Sequence, residues 1–453
     1  MRNIKKEKRM TKLKTSYLRI IAMGFLLMIT IGTVLLMLPI ASKGGKGISF
    51  VDALFTATSA GCVTGLVVVD TYSHWSLFGQ LVILGLIQIG GLGFVTIGVY
   101  LAVILKKKIG LAQREAVKES VSSIHSSGTV RMTKQIIKGT LLIEGTAALL
   151  FSFRFIPLLG WREGIYYSIF HAISGFCNAG FDLMGRWEPY SSLCLFQSDV
   201  LINGGVMALI VIGGLGFFVW EDILCHKWQF KKYALHTKMV VTITGLLIVG
   251  GAGLFYLLEQ NTVLLGLSEE EKILASLFAA VTPRTAGFNT VDIAAMSPAG
   301  KLLTAVLMFI GGSPGSTAGG VKTTTVAVMF LSALAMIRSS HGTNIFGRRL
   351  EEEAVRKAAT VCFINLFLAL TAILLLLAIQ PLEFMDVLLE VFSAIGTVGM
   401  STGVTRQLNT LSKVIIIILM YCGRLGSLSF ILVFAQKKKV PPILNPKEKI
   451  LVG

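Results

Sequence analysis

Four short stretches carry the chemistry that can be read most directly: Val63-Thr64-Gly65-Leu66, Asn178-Ala179-Gly180-Phe181, Thr285-Ala286-Gly287-Phe288 and Thr397-Val398-Gly399-Met400. None of them contains a carboxylate that could hold a metal ion tightly. What they offer is main chain. Glycine reaches positive φ without a side-chain penalty, so successive carbonyl oxygens can turn toward one line. Rings of such oxygens replace the water shell of an alkali cation and still release it. Close helix packing competes as the explanation for any one glycine. Four copies in register favour a selectivity filter for an alkali cation built from Val63, Thr64, Gly65, Asn178, Ala179, Gly180, Thr285, Ala286, Gly287, Thr397, Val398 and Gly399. The side-chain oxygens of Thr64, Asn178, Thr285 and Thr397 either tune those sites or satisfy nearby backbone donors, and both uses stay open here.

A second constellation, Gly311-Gly312-Ser313-Pro314-Gly315-Ser316-Thr317-Ala318-Gly319-Gly320, interrupts an apolar stretch, residues 301–337, that is longer than a membrane crossing needs. Proline and clustered glycine do not sustain a helix. Irregular backbone at membrane depth must face a cavity or be buried in protein, so this loop is expected beneath the filter, obstructing the pathway. Arg424 lies inside the last apolar stretch. A cation at mid-bilayer costs from about 2.5 to about 17 kcal/mol depending on relaxation, so Arg424 should face the cavity, contact the 311–320 loop and add an electrostatic barrier. Snorkelling to the interface is the alternative. Lys322 is expected at the same constriction.

Other chemistry is excluded. Residues 315–323 nearly spell a phosphate-binding loop, but Val321 separates Gly320 from Lys322 and no strand precedes it. The six histidines form no nucleophile–base or metal constellation, so no enzyme and no catalytic residue is expected. The six cysteines are scattered without a CxxC pair and read as small buried side chains.

The elements that must position these residues repeat four times. Phe-x-Ala recurs at Phe55, Phe170, Phe278 and Phe392, each copy leading into one of the glycine turns. Each turn is followed by an apolar stretch with a glycine cluster: Gly90-Gly91, Gly213-Gly214, Gly311-Gly312 and Gly423. The unit is a span, a short amphipathic helix, a glycine turn and a second span. First spans are expected at 18–40, 136–159, 237–258 and 358–379, and second spans at 77–105, 200–224, 301–337 and 411–435. The helices between them are too short to cross a bilayer. Acidic residues near their starts (Asp52, Glu163, Glu269 to Glu271, Asp386) suit the positive end of the helix dipole and place negative charge at an outer mouth. The expected fold is therefore an all-α membrane protein, with eight spans in four tandem span–pore helix–span units around one pore of pseudo-fourfold symmetry.

Composition agrees with a chain in contact with the lipid bilayer: 54% of its 453 residues are hydrophobic and only 15% charged. The net charge of +18 does not point to nucleic acid, because the basic residues cluster between the apolar stretches and at the termini. By the positive-inside rule those segments and both termini are cytoplasmic. The resulting organisation is a basic N-terminus (1–17), pore-loop units at 18–105, 136–225, 237–337 and 358–435, linkers at 106–135, 226–236 and 338–357, and a cytoplasmic tail (436–453).

Cys62-Val63-Thr64-Gly65-Leu66, Asn178-Ala179-Gly180-Phe181-Asp182, Arg284-Thr285-Ala286-Gly287-Phe288-Asn289 and Gly396-Thr397-Val398-Gly399-Met400-Ser401-Thr402-Gly403 resemble the filter segments of the Trk/Ktr/HKT superfamily of cation transporters, over nearly the whole chain. The chain starts directly with the first unit, without two further leading spans, and so resembles a KtrB-type ion-translocating subunit. Plant sodium-selective relatives carry serine at the first filter glycine; Gly65 resembles the potassium-selective branch. The resemblance implies channel-like potassium uptake in a bacterial cell membrane and a gate at the 311–320 loop. It also implies a homodimer, a cytosolic ring of nucleotide-binding RCK subunits, and sodium as an activator, with no cofactor in this chain. An alternating-access carrier is the other reading, but carriers usually show inverted or paired repeats, and here the copies run parallel.

Overall fold

The computed structural model describes residues 2–93, 96, 129–227, 229–340, 342–434, 446 and 448. The expected end of the first unit (97–105), the linker from 106 to 128 and most of the tail (436–453) lie outside the described residues.

Long uninterrupted apolar sequence makes four long helices: α1 (Arg2–Met37), α5 (Thr129–Leu159), α9 (Leu235–Glu259) and α13 (Glu352–Ile379). Within them Arg19–Met37, Met132–Leu159, Leu235–Glu259 and Glu352–Ile379 are long and apolar enough to cross a membrane. Their outer faces leave large apolar side chains exposed, such as Leu142, Phe153, Val249 and Phe363, which suits hydrocarbon rather than water. The first helix stops at Met37, short of the expected residue 40, because Pro39 opens a separate 3-10 turn.

Four shorter helices precede the glycine turns: α2 (Phe50–Gly61), α6 (Trp161–Phe176), α10 (Glu269–Val281) and α14 (Phe384–Gly396). Ser49 caps α2, and Ser268 with Glu271 forms a capping box on α10. The repeated Phe-x-Ala phrase packs these helices inward: Phe55, Phe170 and Phe278 are buried, as are Ala57, Ala172, Ala280 and Ala394. Small alanines let the helices approach closely while the rings fill the gaps between them.

The second stretch of each repeat is not one helix. A one-turn helix α3 (Thr71–His74) leads into α4 (Leu77–Leu92), which ends at Gly93. Next, α7 (Val200–Leu215) bends by 97° at Gly216 into α8 (Phe217–His226). In the third repeat, α11 (Pro298–Phe309) and α12 (Thr323–Ile337) flank the glycine-rich loop. Finally α15 (Thr410–Leu425) breaks at Gly426 before α16 (Ser427–Phe434). The expected second spans therefore carry glycine breaks at Gly93, Gly216 and Gly426. Gly93, Gly216 and Gly426 hold φ of 84°, 96° and 82°, which no right-handed helix accommodates. Counting α7 with α8 as one bent span gives up to five membrane-crossing candidates among the described residues. A short hairpin pairs β1 (Asn344–Ile345) with β2 (Arg348–Arg349) in the expected 338–357 linker, the one departure from an all-helical chain among the described residues.

Each of these second helices packs on the short helix of the next repeat: α4 on α6, α7 on α10, α11 on α14, and α15 back on α2. Side chains on the fourth residue of three of them reinforce the contacts. Gln80 accepts from the Tyr166 hydroxyl at 2.9 Å, Lys301 reaches Asp386 at 3.4 Å, and Lys413 reaches Asp52 at 2.6 Å.

Candidate functional site

The four glycine turns share one backbone shape. Val63, Asn178, Thr285 and Thr397 have φ of 58°, 59°, 71° and 52°, and Gly65, Gly180, Gly287 and Gly399, two residues later, have 93°, 67°, 80° and 98°. The residue between each pair (Thr64, Ala179, Ala286, Val398) is not left-handed. A non-glycine residue at positive φ costs of order 1–3 kcal/mol and persists only where the surroundings over-determine it. Here the same cost recurs four times in register.

What over-determines it is a hydroxyl residue on each short helix. Ser59, Ser174, Thr282 and Ser393 are buried and precede the glycines by six, six, five and six positions. Their carbonyls accept from the N–H groups of Thr64, Ala179, Ala286 and Val398 at 2.7, 2.8, 3.0 and 2.8 Å. Their hydroxyls bind the turns as well. Ser59 and Ser393 accept from the N–H groups of Gly65 and Gly399 at 3.1 and 3.0 Å, while Ser174 and Thr282 each donate at 2.6 Å to the carbonyls of Phe181 and Phe288. Sequence reasoning missed these residues. The signal was a hydroxyl at nearly constant spacing before each glycine, which gains meaning only once the turn folds back on its helix.

The turns meet one another in a closed cycle. A β-carbon on Gly65 would stand 2.5 Å from the Ala179 carbonyl oxygen, and one on Gly180 would stand 2.6 Å from that of Ala286. On Gly287 and Gly399 it would strike the carbonyl oxygens of Val398 and Thr64. The order 65, 180, 287, 399 and back to 65 therefore closes on itself. The Asn178 side chain spans the second and third turns, 3.3 Å from the Thr285 hydroxyl.

On one side of this ring lies a cavity of about 370 Å³, bounded by all four glycines together with Asp70 and Asp182. Burial pushes the Asp182 carboxyl up to about 7 against the stabilising N–H of Met184, and Asp70 nearby adds to the shift. The carboxylates expected to line an outer mouth are instead largely engaged. Asp52, Glu163, Glu271 and Asp386 each occupy the third position of their helix. Asp52 and Asp386 pair with the lysines above, Glu163 pairs with Arg186, and Glu271 accepts from Ser268. They favour the helix dipole, but their charge is spent locally.

Beneath the ring sits the 310–322 loop. Its neck is closed by Gly311 N–H to the Val321 carbonyl at 2.8 Å and Thr323 N–H to the Gly312 carbonyl at 3.1 Å. Ser313 and Thr317 donate their N–H groups to Gly214 and Gly213 at 3.0 and 3.2 Å, the Gly315 carbonyl accepts from Phe217, and Gly320 donates to Gly423. Arg424, deep in the protein, donates to the loop carbonyl of Thr317 and to Gly90, and reaches the Gly91 carbonyl at 3.1 Å. Lys322 instead binds carbonyls of the loop itself, Ala318 at 2.7 Å and Gly319 at 3.2 Å. The loop abuts the fourth turn, since a β-carbon on Gly319 would strike the Thr397 hydroxyl. A cavity of about 330 Å³ on the far side is bounded by Lys322, Arg424, Gly93 and Gly426. The four turns and the loop thus adjoin each other, with one cavity bounded by the four glycines and another by loop residues.

His171 is buried and accepts from the Leu183 N–H at 3.3 Å. Arg284 is also buried, and its guanidinium donates to Thr244 at 3.2 Å behind the third turn.

Comparison with known proteins places this geometry. The family profile described as TrkH, cation transport protein, matches residues 3–441. The chain is 41% identical to the potassium/sodium uptake protein NtpJ of Enterococcus hirae, over 98% of this chain and 99% of that one. It is 42% identical to the Ktr system potassium uptake protein B of Bacillus subtilis, over 96% of each. Among solved structures it is similar to the potassium transporter TrkH from Vibrio parahaemolyticus, with a TM-score of 0.69 and 20% identity over 91% of this chain and 84% of that one. With its repeated glycine turns and multi-pass helical fold, the chain belongs to the TrkH family of cation transport proteins, close to the Ktr and NtpJ uptake proteins.

Proposed function

We propose that this chain carries potassium ions into the cell through a pore along the axis of the glycine ring. Eight crossings in four units surround that axis, with both termini and the basic linkers cytoplasmic. The cyclic contact of the four turns carries this reading. Alternation between left-handed and other backbone conformations turns successive carbonyls to one side. Four such strands in a closed cycle present stacked oxygen rings of the kind that replace a potassium ion's water. The names of the relatives, potassium uptake and potassium/sodium uptake, point the same way. The 310–322 loop acts as the gate, with Arg424 and Lys322 adding positive charge below the filter.

By the same kinship the working unit is a homodimer on a cytosolic nucleotide-binding ring in the bacterial cell membrane, and sodium stimulates uptake. Passive flux that follows the potassium gradient alone separates this mechanism from an alternating-access carrier, which requires fixed coupling.

The deciding experiment is Gly65→Ser in a bacterium deficient in potassium uptake. At φ of 93° and 2.5 Å from the Ala179 oxygen, an added side chain must displace the ring. Growth at low potassium should become sensitive to excess sodium. Sodium sensitivity equal to wild type, at equal expression, removes the filter assignment.

A further inference from the structure

The chain leaving two of the turns is tied back to its short helix by side chains that the ring itself does not use. In the fourth repeat Glu390, fully buried on α14, accepts from the Ser401 hydroxyl at 2.7 Å on one carboxylate oxygen and from the Thr405 hydroxyl at 2.6 Å on the other. Ser401 in turn accepts from the Gly403 N–H at 3.0 Å. Ser401 and Thr405 both border the cavity that the four glycines share. In the second repeat His171, buried on α6, does the equivalent task. Its Nδ1 lies 2.8 Å from the Tyr167 carbonyl and its Nε2 lies 3.3 Å from the Leu183 N–H. Those partners, a carbonyl and an N–H, assign the neutral ring with its proton on Nδ1.

The two residues share a register, nine positions before Gly399 and Gly180 respectively. At the same place, three residues before the hydroxyl residue that binds the turn, the first repeat has Thr56, whose hydroxyl donates to the Asp52 carbonyl inside its own helix at 2.9 Å, and the third has the apolar Ala279. Because the ring runs 65, 180, 287, 399, the second and fourth turns face each other across it. The ties therefore act along one diagonal.

We propose that Glu390 and His171 are a matched pair of positioning residues that set potassium-over-sodium preference, by fixing where the second and fourth turns leave the ring. This rests on the reading of the ring as a selectivity filter. Sodium is smaller than potassium, so carbonyls free to draw inward can coordinate it. Turns held by Ser174 and Ser393, and further along the chain by His171 and Glu390, cannot draw inward along that diagonal. Glu390 suits this task because one buried side chain accepts from two hydroxyls at once, each on a separate oxygen.

The test uses the full-length chain purified into liposomes, with rubidium influx measured against competing potassium or sodium. Glu390→Ala should lower the potassium-over-sodium preference by about tenfold, a loss of about 1.4 kcal/mol in discrimination. The donor-side variant Ser401→Ala with Thr405→Val should lower it equally, and decides the matter if Glu390→Ala fails to fold. Combining both changes should cost no more than either, because they break the same links. His171→Phe should shift preference in the same direction, while His171→Gln, which keeps an acceptor for Leu183, should restore it. Unchanged preference in the donor-side variant, or losses that add in the combination, overturns the proposal. Gly65→Ser run alongside keeps the two failures apart. If it alters preference while the ties do not matter, only the ties fall; if it too changes nothing, the filter reading itself is lost.

Discussion

At the scale of single residues, Arg424 joins three repeats, its own and those of Gly90 and Thr317. It stands where glycine stands in the matching motifs, Gly90-Gly91-Leu92-Gly93 and Gly213-Gly214-Leu215-Gly216 against Gly423-Arg424-Leu425-Gly426. Its guanidinium straps the loop to the first and fourth repeats through the carbonyls of Thr317, Gly90 and Gly91. Hydrogen bonds from a charged donor are worth about 1.5–3 kcal/mol each. We predict that Arg424→Ala raises rubidium influx in liposomes without any cytosolic partner by about tenfold, as expected if one such bond biases the loop. Arg424→Lys, which keeps charge without the planar fork, should fall between. Influx equal to wild type in both would leave the residue without a gating role. That an arginine was out of place could be read from the sequence. Its partners could not, since Gly90 lies 334 positions away and offers only a main-chain carbonyl. The same blindness hid Ser59, Ser174, Thr282 and Ser393. A serine in a helix advertises nothing until the chain beyond it turns back.

At the scale of elements, the breaks at Gly93, Gly216 and Gly426 are one device used three times. Their ψ angles of 126°, 145° and 122° match as closely as their φ. This region of backbone space is close to glycine-only. Gly216 is also crowded, with the Pro314 carbonyl 2.7 Å from where a β-carbon would sit. Gly216→Ala and Gly426→Ala should each destabilise the protein by about 1–3 kcal/mol, with the larger loss at Gly216, where strain and collision coincide. A thermal-shift series on purified protein reads this, and equal melting temperatures for the two variants would contradict the ranking. The glycine clusters were visible in the sequence as marks of the repeat, not as breaks in a helix. Gly90 and Gly213 pack closely against the carbonyls of Gly61 and Phe176. The hinge is the glycine three positions on, and apolar sequence on both sides of it disguised the break.

At the scale of the whole molecule, the repeats were legible because composition and spacing recur, and the ring because identical turns in identical places have few other uses. The proposed orientation rests on the distribution of basic residues. Single cysteines at Lys231 or Arg348, placed in a chain without its native cysteines, should react with impermeant thiol reagents only from the inside. One at Glu188 should react only from the outside; labelling of all three from the same side would overturn the proposed topology. The closed neck of the 310–322 loop has a mechanical consequence. Gly311 to Val321 and Thr323 to Gly312 join the loop to itself, as Lys322 does through Ala318 and Gly319. Its bonds to Gly213, Gly214 and Gly423 belong to neighbours. Were the neighbours to let go, the hairpin would swing aside whole, like a stopper on a short tether, and would carry the Lys322 ammonium with it in the same stroke.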